Sequence, residues 1–276
     1  MAIRDISVII DNAGSQPAAV AAAELARRFD AHLVGIALAY DPVVPGYGVA
    51  PVPADFMVEA RERAIDEAKV AASAFGAIAE RAGIAAETRI TDVLTGGGLD
   101  GLVAQLHFSD LVVIGQDDAD HSEPMRDAVI EGVLFNAGLP ALLIPRKGAP
   151  TIPLDRVVVA WDGSTTAAKA VRAAMPVLER AKAVDVVIVG EDLPEGGEPG
   201  ADVAAHLARH GVPVTIRTVA DTAGDIAATL RQAVLESGAD LLVMGGYGHS
   251  RLREWVFGGV TRSMLDTMTV PVLMAR

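Results

Sequence analysis

Short apolar runs alternate along this chain with longer stretches in which alanine, leucine and valine recur at helical spacing. Ile6–Ile10 and Val157–Ala160 are runs of the first kind, each stopping at an aspartate (Asp11 and Asp162) and a turn of small residues. An Ala-rich stretch follows in both places, 17–29 and 165–181, and each predicts a helix. β-rich segments come next, at 32–39 and 185–190. Further on, DLVVIG (Asp110–Gly115) aligns with DLLVMG (Asp240–Gly245), and LPALLIPR (Leu139–Arg146) with VPVLMAR (Val270–Arg276). Equivalent positions lie about 130–150 residues apart, the length of one α/β domain. The chain therefore reads as an internal repeat, with domains over 1–147 and 153–276 and a linker at Pro145–Pro153.

Within each half, strands of four to eight residues alternate with amphipathic helices, which predicts a parallel sheet with helices on both faces. Runs such as VVVA and LLVM lack alternation, as strands buried on both sides do. In the second half a middle strand is expected at 212–219 and a helix at 224–236. In the first, 58–82 predicts a long helix with Ile65, Ala68, Ala72, Phe75 and Ile78 on its apolar side. The preceding Pro42–Pro53 is rich in proline and glycine and reads as a lid or a plain crossover.

Composition narrows the chemistry. The 276 residues are 51% hydrophobic but only 4% aromatic, so the cores must be built from Ala, Val, Leu and Ile. Stacking platforms for single-stranded nucleic acid are disfavoured. A net charge of −13 disfavours non-specific binding to nucleic acid or an anionic membrane. The absence of cysteine removes disulfides, thiolate metal sites and thiol nucleophiles. The start, MAIRDISVIID, enters a strand pattern at once and does not read as a signal peptide, and no run of about 18 apolar residues predicts a membrane span. The cytoplasm is the expected location.

The strongest chemical signal is LLVMGGYGHSRLREWVFGGVT, Leu241–Thr261. An apolar strand ends at Gly245-Gly246, Gly248 follows, and Gly258-Gly259 open the segment leading to Pro271. A strand ending in a Gly-rich turn before a helix is how parallel α/β folds hold phosphate: glycines admit the ligand to the backbone, and amides at the helix start point at the anion. The spacing G-x2-G-x9-G is neither a Walker A loop nor a dinucleotide G-x-G-x-x-G. It resembles the nucleotide loop of the universal stress protein family, in which G-x2-G-x9-G is followed by Ser or Thr. Gly245, Gly248 and Gly258 match; Gly259 departs from the hydroxyl position, and Thr261 stands two residues on.

The resemblance covers nearly the whole chain as a tandem pair. It implies two doubly wound, Rossmann-like α/β domains, each an open five-stranded parallel sheet flanked by helices, with ligands at the carboxyl ends of the strands. ATP, accompanied by Mg²⁺, is the implied cofactor of the second half. Asp162 would contact the adenosine part, since a carboxylate accepts hydrogen bonds from an amine or ribose hydroxyl; the alternative is that it caps the next helix. Ala160 and Trp161 would line the adenine pocket, though Trp161 can equally pack against a helix, and Val189 would form an apolar wall. Gly245, Gly248, Gly258, Gly259, Val260 and Thr261 would surround the phosphates, with His249 and Arg251 adding charge. A purely structural role for the glycines, and a surface pairing of Arg251 with Glu254, are the competing readings.

In the first half Gly115 matches Gly245, but QDDADHSEPMRD follows it, with Asp118 at the Gly248 position and no glycine pair. Like charge and missing glycines predict that this half does not take ATP in the same way. The acids there are a candidate Mg²⁺ or Ca²⁺ site, or simply a solvated loop. His206 and His210, four apart on a predicted helix, have metal-ligand spacing but no third ligand. No serine stands in a G-x-S-x-G context. The expected function is a nucleotide-sensing or stress-regulatory module, not a fast enzyme, although weak ATPase activity remains compatible. ATP would order the 246–258 loop and alter a surface offered to a protein partner. Alternatives are a member without nucleotide, acting through protein contacts, and a nucleotide hydrolase or transferase. The strands at 141–144 and 272–274 lie at a sheet edge in the family fold, so an intrachain pseudo-dimer and a homodimer are both open.

Overall fold

The structure, a computed structural model, describes residues 2–41, 54–93, 99–117, 123–147, 152–190, 200–220, 224–248 and 259–276. The candidate lid at 42–53, the middle of the linker and positions 249–258 lie outside the described residues. The chain divides into two compact units, Ile3–Ala137 and Gly138–Arg276, the latter grouped with the first two residues.

The first unit alternates strand and helix: β1 (Asp5–Ile10), α1 (Pro17–Phe29), β2 (His32–Tyr40), α2 (Ala54–Arg81), β3 (Ala86–Val93), α3 (Asp100–Leu106), β4 (Leu111–Gly115) and α4 (Arg126–Glu131), which runs into a π-helical turn at Gly132–Ala137. Its strands lie in the order β3-β2-β1-β4, all parallel. β1, β2 and β4 are almost wholly buried, which is why their sequences are continuous apolar runs. The sequence reading contains no strand between 82 and 110. β3 forms there on the outside of β2 and leaves most of its side chains in solvent, so AETRITDV carries no apolar run.

The second unit contains β5 (Ala141–Ile144), β6 (Arg156–Ala160), α5 (Thr165–Leu178), β7 (Ala183–Val189), α6 (Ala201–Arg209), β8 (Val214–Val219), α7 (Ile226–Ser237), β9 (Leu241–Gly245), α8 (Val260–Thr267) and β10 (Val272–Ala275). The order is β5-β10-β9-β6-β7-β8. Every ladder is parallel except β5–β10, where Leu142 faces Leu273 in an antiparallel pair. The doubly wound α/β architecture is as the periodicity predicts. The two strands expected at a sheet edge pair with each other, so β10 does not leave its outer ladder groups unpaired, and both strands are buried.

The repeat extends to side chains. Asp110 and Asp240, which open the matched DLVVIG and DLLVMG segments, do the same work in each unit. Asp110 Oδ2 accepts the amides of Arg4 and Asp5 at 2.7 and 3.0 Å. Asp240 Oδ2 accepts those of Asp155 and Arg156 at 3.0 and 3.2 Å. Each aspartate ties the start of one central strand to its neighbour, fixing register where the strand enters the core. Among the described residues no helix is long and apolar enough to cross a membrane.

Helix-on-sheet packing is tightest where α2 crosses β2. Phe75 is fully buried, and a Cβ placed on Gly35 would overlap its ring. Glycine is therefore required at 35 by volume. Gly35→Ala is expected to destabilise the chain by about 1–3 kcal/mol through overpacking. Combining it with Phe75→Leu should cost less than the sum of the two single changes, because the residues share one space. Urea unfolding of the four proteins measures both.

Candidate functional site

In the second unit the chain order reverses between β6 and β9. β7 and β8 continue from one side of β6, and β9 and β10 lie on the other. The loops leaving the carboxyl ends of β6 and β9 therefore diverge, and a crevice must open between them. The structure has a cavity of about 750 Å³ there.

Nine of the eleven residues expected at the site line this cavity: Ala160, Trp161, Asp162, Val189, Gly245, Gly248, Gly259, Val260 and Thr261. The other two, His249 and Gly258, lie outside the described residues, as do Arg251 and Glu254. Val187, Met244, Ile226 and Leu230 supply further apolar wall; Thr166, Gly224, Asp225 and Ser263 were not anticipated. Asp225 carries a legible signal, an acid immediately before an apolar helical pattern. Its Oδ1 accepts the Ala228 amide at 2.9 Å and caps α7. Thr166 had no such signal, because its role arises only when α5 meets β9.

The first turn after β6 shows how the chain presents Asp162. Ser164, not Asp162, caps α5, its Oγ accepting the Ala167 amide at 3.1 Å. Asp162 Oδ1 accepts the Ser164 amide at 2.9 Å, so the carboxylate holds the turn and remains exposed at the cavity rim. The Trp161 amide donates to Val187 O at 2.9 Å, extending the β6–β7 ladder and fixing the backbone beside the apolar wall.

On the other side, the turn after β9 is drawn tight. A Cβ on Gly245 would lie 2.7 Å from both Ala167 N and Thr166 Oγ1, and one on Gly248 would lie 2.9 Å from the same hydroxyl. Both glycines thus have a packing reason within the chain itself. Opposite them α8 begins at Val260 behind Gly259, which has no side chain with which to cap it. The N-terminal end of a helix carries positive partial charge and amides directed outward, which suits an anion. No Lys or Arg is among the described residues lining the cavity. The lining thus holds two kinds of group: the carboxylates of Asp162 and Asp225, and a glycine turn with a helix start.

The corresponding place in the first unit is filled from within. Asp11 ends β1 as Asp162 follows β6, and it forms a buried ion pair with Arg126 at the start of α4. Glu123 Oε1 accepts the Asn12 amide at 2.7 Å, and the Tyr40 hydroxyl, at the end of β2, bonds to the same carboxyl. Asp117 Oδ1 accepts the Glu123 amide at 3.1 Å. A Cβ on Gly115 would meet Asp11 Oδ2 at 2.7 Å. Glu123, expected in a solvated acidic loop, is instead 8% exposed, and Arg126 is 5% exposed. The described acids accept backbone amides and the Arg126 guanidinium. Asp118 and Asp120 lie outside the described residues.

Elsewhere, His206 and His210 are neighbours with ring centroids 4.8 Å apart, and His210 Nδ1 lies 3.6 Å from Glu179 Oε1. Among the described residues no group of three or more His, Asp or Glu is placed to hold a metal.

The Universal stress protein family matches residues 153–276. The crystal structure of a universal stress protein from Archaeoglobus fulgidus DSM 4304 is similar over 99% of this chain and 96% of its own, with 17% identity and a TM-score of 0.72. A putative universal stress protein from Pseudomonas aeruginosa UCBPP-PA14 is similar over 99% and 93%, at 16% identity and a TM-score of 0.56. The structure of the universal stress protein from Archaeoglobus fulgidus in complex with dAMP covers 52% of this chain and 98% of its own, at 22% identity and a TM-score of 0.32. No curated protein matches.

The filled crevice of the first unit has a measurable electrostatic signature. Burial, the largest influence, raises the Glu123 carboxyl above its ordinary 4.5 despite the Asn12 amide and Arg126. The folded chain then holds this proton more tightly than the unfolded chain, so the Glu123 contribution is full below about pH 4.5 and is lost as pH rises through the folded value. Glu123→Gln keeps an acceptor for Asn12 and has no proton to lose. It should flatten the decline of stability with rising pH above 4.5, read as urea midpoints across pH 4–8 for variant and parent.

Proposed function

We propose that the chain is a member of the universal stress protein family, whose model matches residues 153–276, and that this half binds one adenine nucleotide, ATP with Mg²⁺, in the cavity between β6 and β9. The observation that carries the reading is the polarity of that cavity. The apolar wall of Ala160, Val187 and Val189, beside Trp161, suits a purine. Asp162 accepts hydrogen bonds from the ribose or the exocyclic amine. The phosphates lie toward the Gly245–Gly248 turn and the start of α8, where backbone amides meet them. Asp162 and Asp225 would repel a triphosphate turned the other way. His249 and Gly258 belong to the same reading through the family motif alone.

Mg²⁺ neutralises part of the triphosphate as it enters an acidic protein. In a chain read as two domains, 1–147 and 153–276, the first contributes no nucleotide: Arg126, Glu123 and Tyr40 occupy the space a ligand would need. The protein acts as a cytoplasmic nucleotide-dependent regulator of stress response through a protein partner, and turnover is slow or absent.

A second reading has its own observation. Gly245 and Gly248 both pack against Thr166, so their presence is accounted for without a phosphate, and Gly259 stands where family members carry a hydroxyl. On that reading the chain is a protein-interaction module. Isothermal titration separates the two. Binding near one ATP per chain with Mg²⁺, weakened about tenfold or more in Gly248→Asp, supports the nucleotide site. An absence of heat and of competition by AMP or ADP in the parent protein would sink it and leave the interaction module.

A further inference from the structure

We infer that Thr261 is a positioning residue of the cavity, whose hydroxyl locks the glycine turn after β9 to the first turn of α8. Its consequence for binding rests on the nucleotide reading above; its geometry does not. Thr261 is 3% exposed, one of few polar residues so deeply buried. Its Oγ1 accepts the backbone amide of Tyr247 at 3.1 Å, across fourteen residues of sequence.

The residue it holds is an unusual one. Tyr247 has φ +51, in the left-handed region that residues with a Cβ rarely adopt. A non-glycine residue persists there when its surroundings impose the conformation. Two successive amides do so. Gly246 N donates to Ala275 O at 3.0 Å, anchoring the turn to β10, and Tyr247 N donates to Thr261, anchoring it to α8. On the opposite side Gly248 is in reach of Thr166. The turn is therefore tied to β10 by a backbone bond and to α8 by the Thr261 hydroxyl, with Thr166 of α5 close against Gly248.

That clamp sets the separation of the two elements that face the anion. Gly245 and Gly248 belong to the turn, and Gly259, Val260 and Thr261 to the helix start, and all line the cavity. Amide recognition of phosphate is sensitive to such distances, since hydrogen bonds weaken steeply outside a narrow range of length and angle. Removing the hydroxyl leaves the Tyr247 amide without its acceptor, releases the strained residue, and obliges a ligand to reorder the turn on binding. The sequence places Thr261 as a substitute for the family hydroxyl next to the phosphates; the structure gives that hydroxyl a backbone partner in the chain.

The test uses the full chain as parent, Thr261→Val and Thr261→Ser, each confirmed folded by circular dichroism, with Thr261→Ala replacing the valine variant should it not fold. Two quantities are read: hydrogen exchange of the Tyr247 amide without ligand, and affinity for ATP with Mg²⁺ by titration. Thr261→Val is expected to speed exchange and weaken binding by about tenfold each, the size of effect one buried hydrogen bond supplies. Thr261→Ser is expected to restore both. Unchanged affinity in Thr261→Val, or an equal loss in the serine variant, overturns the positioning role. If the parent binds no nucleotide, the nucleotide reading fails by itself. The exchange data then still judge the clamp: protection unchanged in Thr261→Val refutes it, and protection lost and recovered with serine upholds it.

Discussion

The arrangement of both halves depends on one steric constraint: the carboxyl end of the fourth strand of each repeat has no room for a side chain. A Cβ on Gly245 would lie 2.7 Å from an amide nitrogen and a hydroxyl of α5, and one on Gly115 would lie 2.7 Å from the Asp11 carboxylate. The loop after the first strand can come this close only because the neighbouring strand ends in glycine. The close approach brings the strand-end aspartate and the following helix start beside the turn, at the point where strand order reverses. A parallel sheet opens a crevice there in any case. The glycine decides that the crevice is walled by backbone.

From this shared frame the halves diverge in what fills the space. The first places a cation at the head of α4, and the buried Arg126 reaches Asp11. A charge removed from water needs a partner and further hydrogen bonds, or it costs several kcal/mol. Asp11 is that partner, and beside the pair Asn12 donates its amide to Glu123 and Tyr40 its hydroxyl to the same carboxyl, whose pKa burial raises. The second half has Val260 at the head of α8, and no described Lys or Arg reaches Asp162 across the cavity. One crevice is occupied by its own side chains; the other keeps a carboxylate exposed, an uncapped helix start and about 750 Å³ of space.

Much of this was legible in the sequence because buried central strands announce themselves. LVVIG, LLVMG and RVVVA are continuous apolar runs, and their matched aspartates give the period of the repeat. β3 escaped notice for the converse reason: it lies on the outer side of β2 with most residues in solvent, so polar and apolar positions mix. At the site, residues named from the motif converge, whereas those contributed by tertiary approach do not show in any linear pattern. Thr166 matters through its contact with Gly245 and Gly248, and Asp225 through the placement of α7. Glu123 was misjudged because one acid among several reads as solvated, and only the fold reveals that it turns inward to the Asn12 amide. Thr261 was noticed as a hydroxyl, but its partner Tyr247 depends on a backbone conformation that tyrosine rarely takes.

Among the described residues, the lining of the second site offers an anion backbone amides and hydroxyls. A lysine or arginine attracts phosphate over a distance comparable with the Debye length and tolerates imprecise placement. Backbone amides carry smaller partial charges, and their pull is strong only when several converge at hydrogen-bonding distance. In a chain of net charge −13, long-range attraction for an anion is unfavourable. For an anion at the described lining, the favourable contribution is short-range geometry. Such a site is encoded less by charged residues than by whatever fixes the backbone: glycines where side chains would collide, an uncapped helix start, and a buried threonine holding the turn in place. Conservative-looking changes at Gly245, Gly248 or Thr261 therefore bear on recognition more directly than changes to surface charge do.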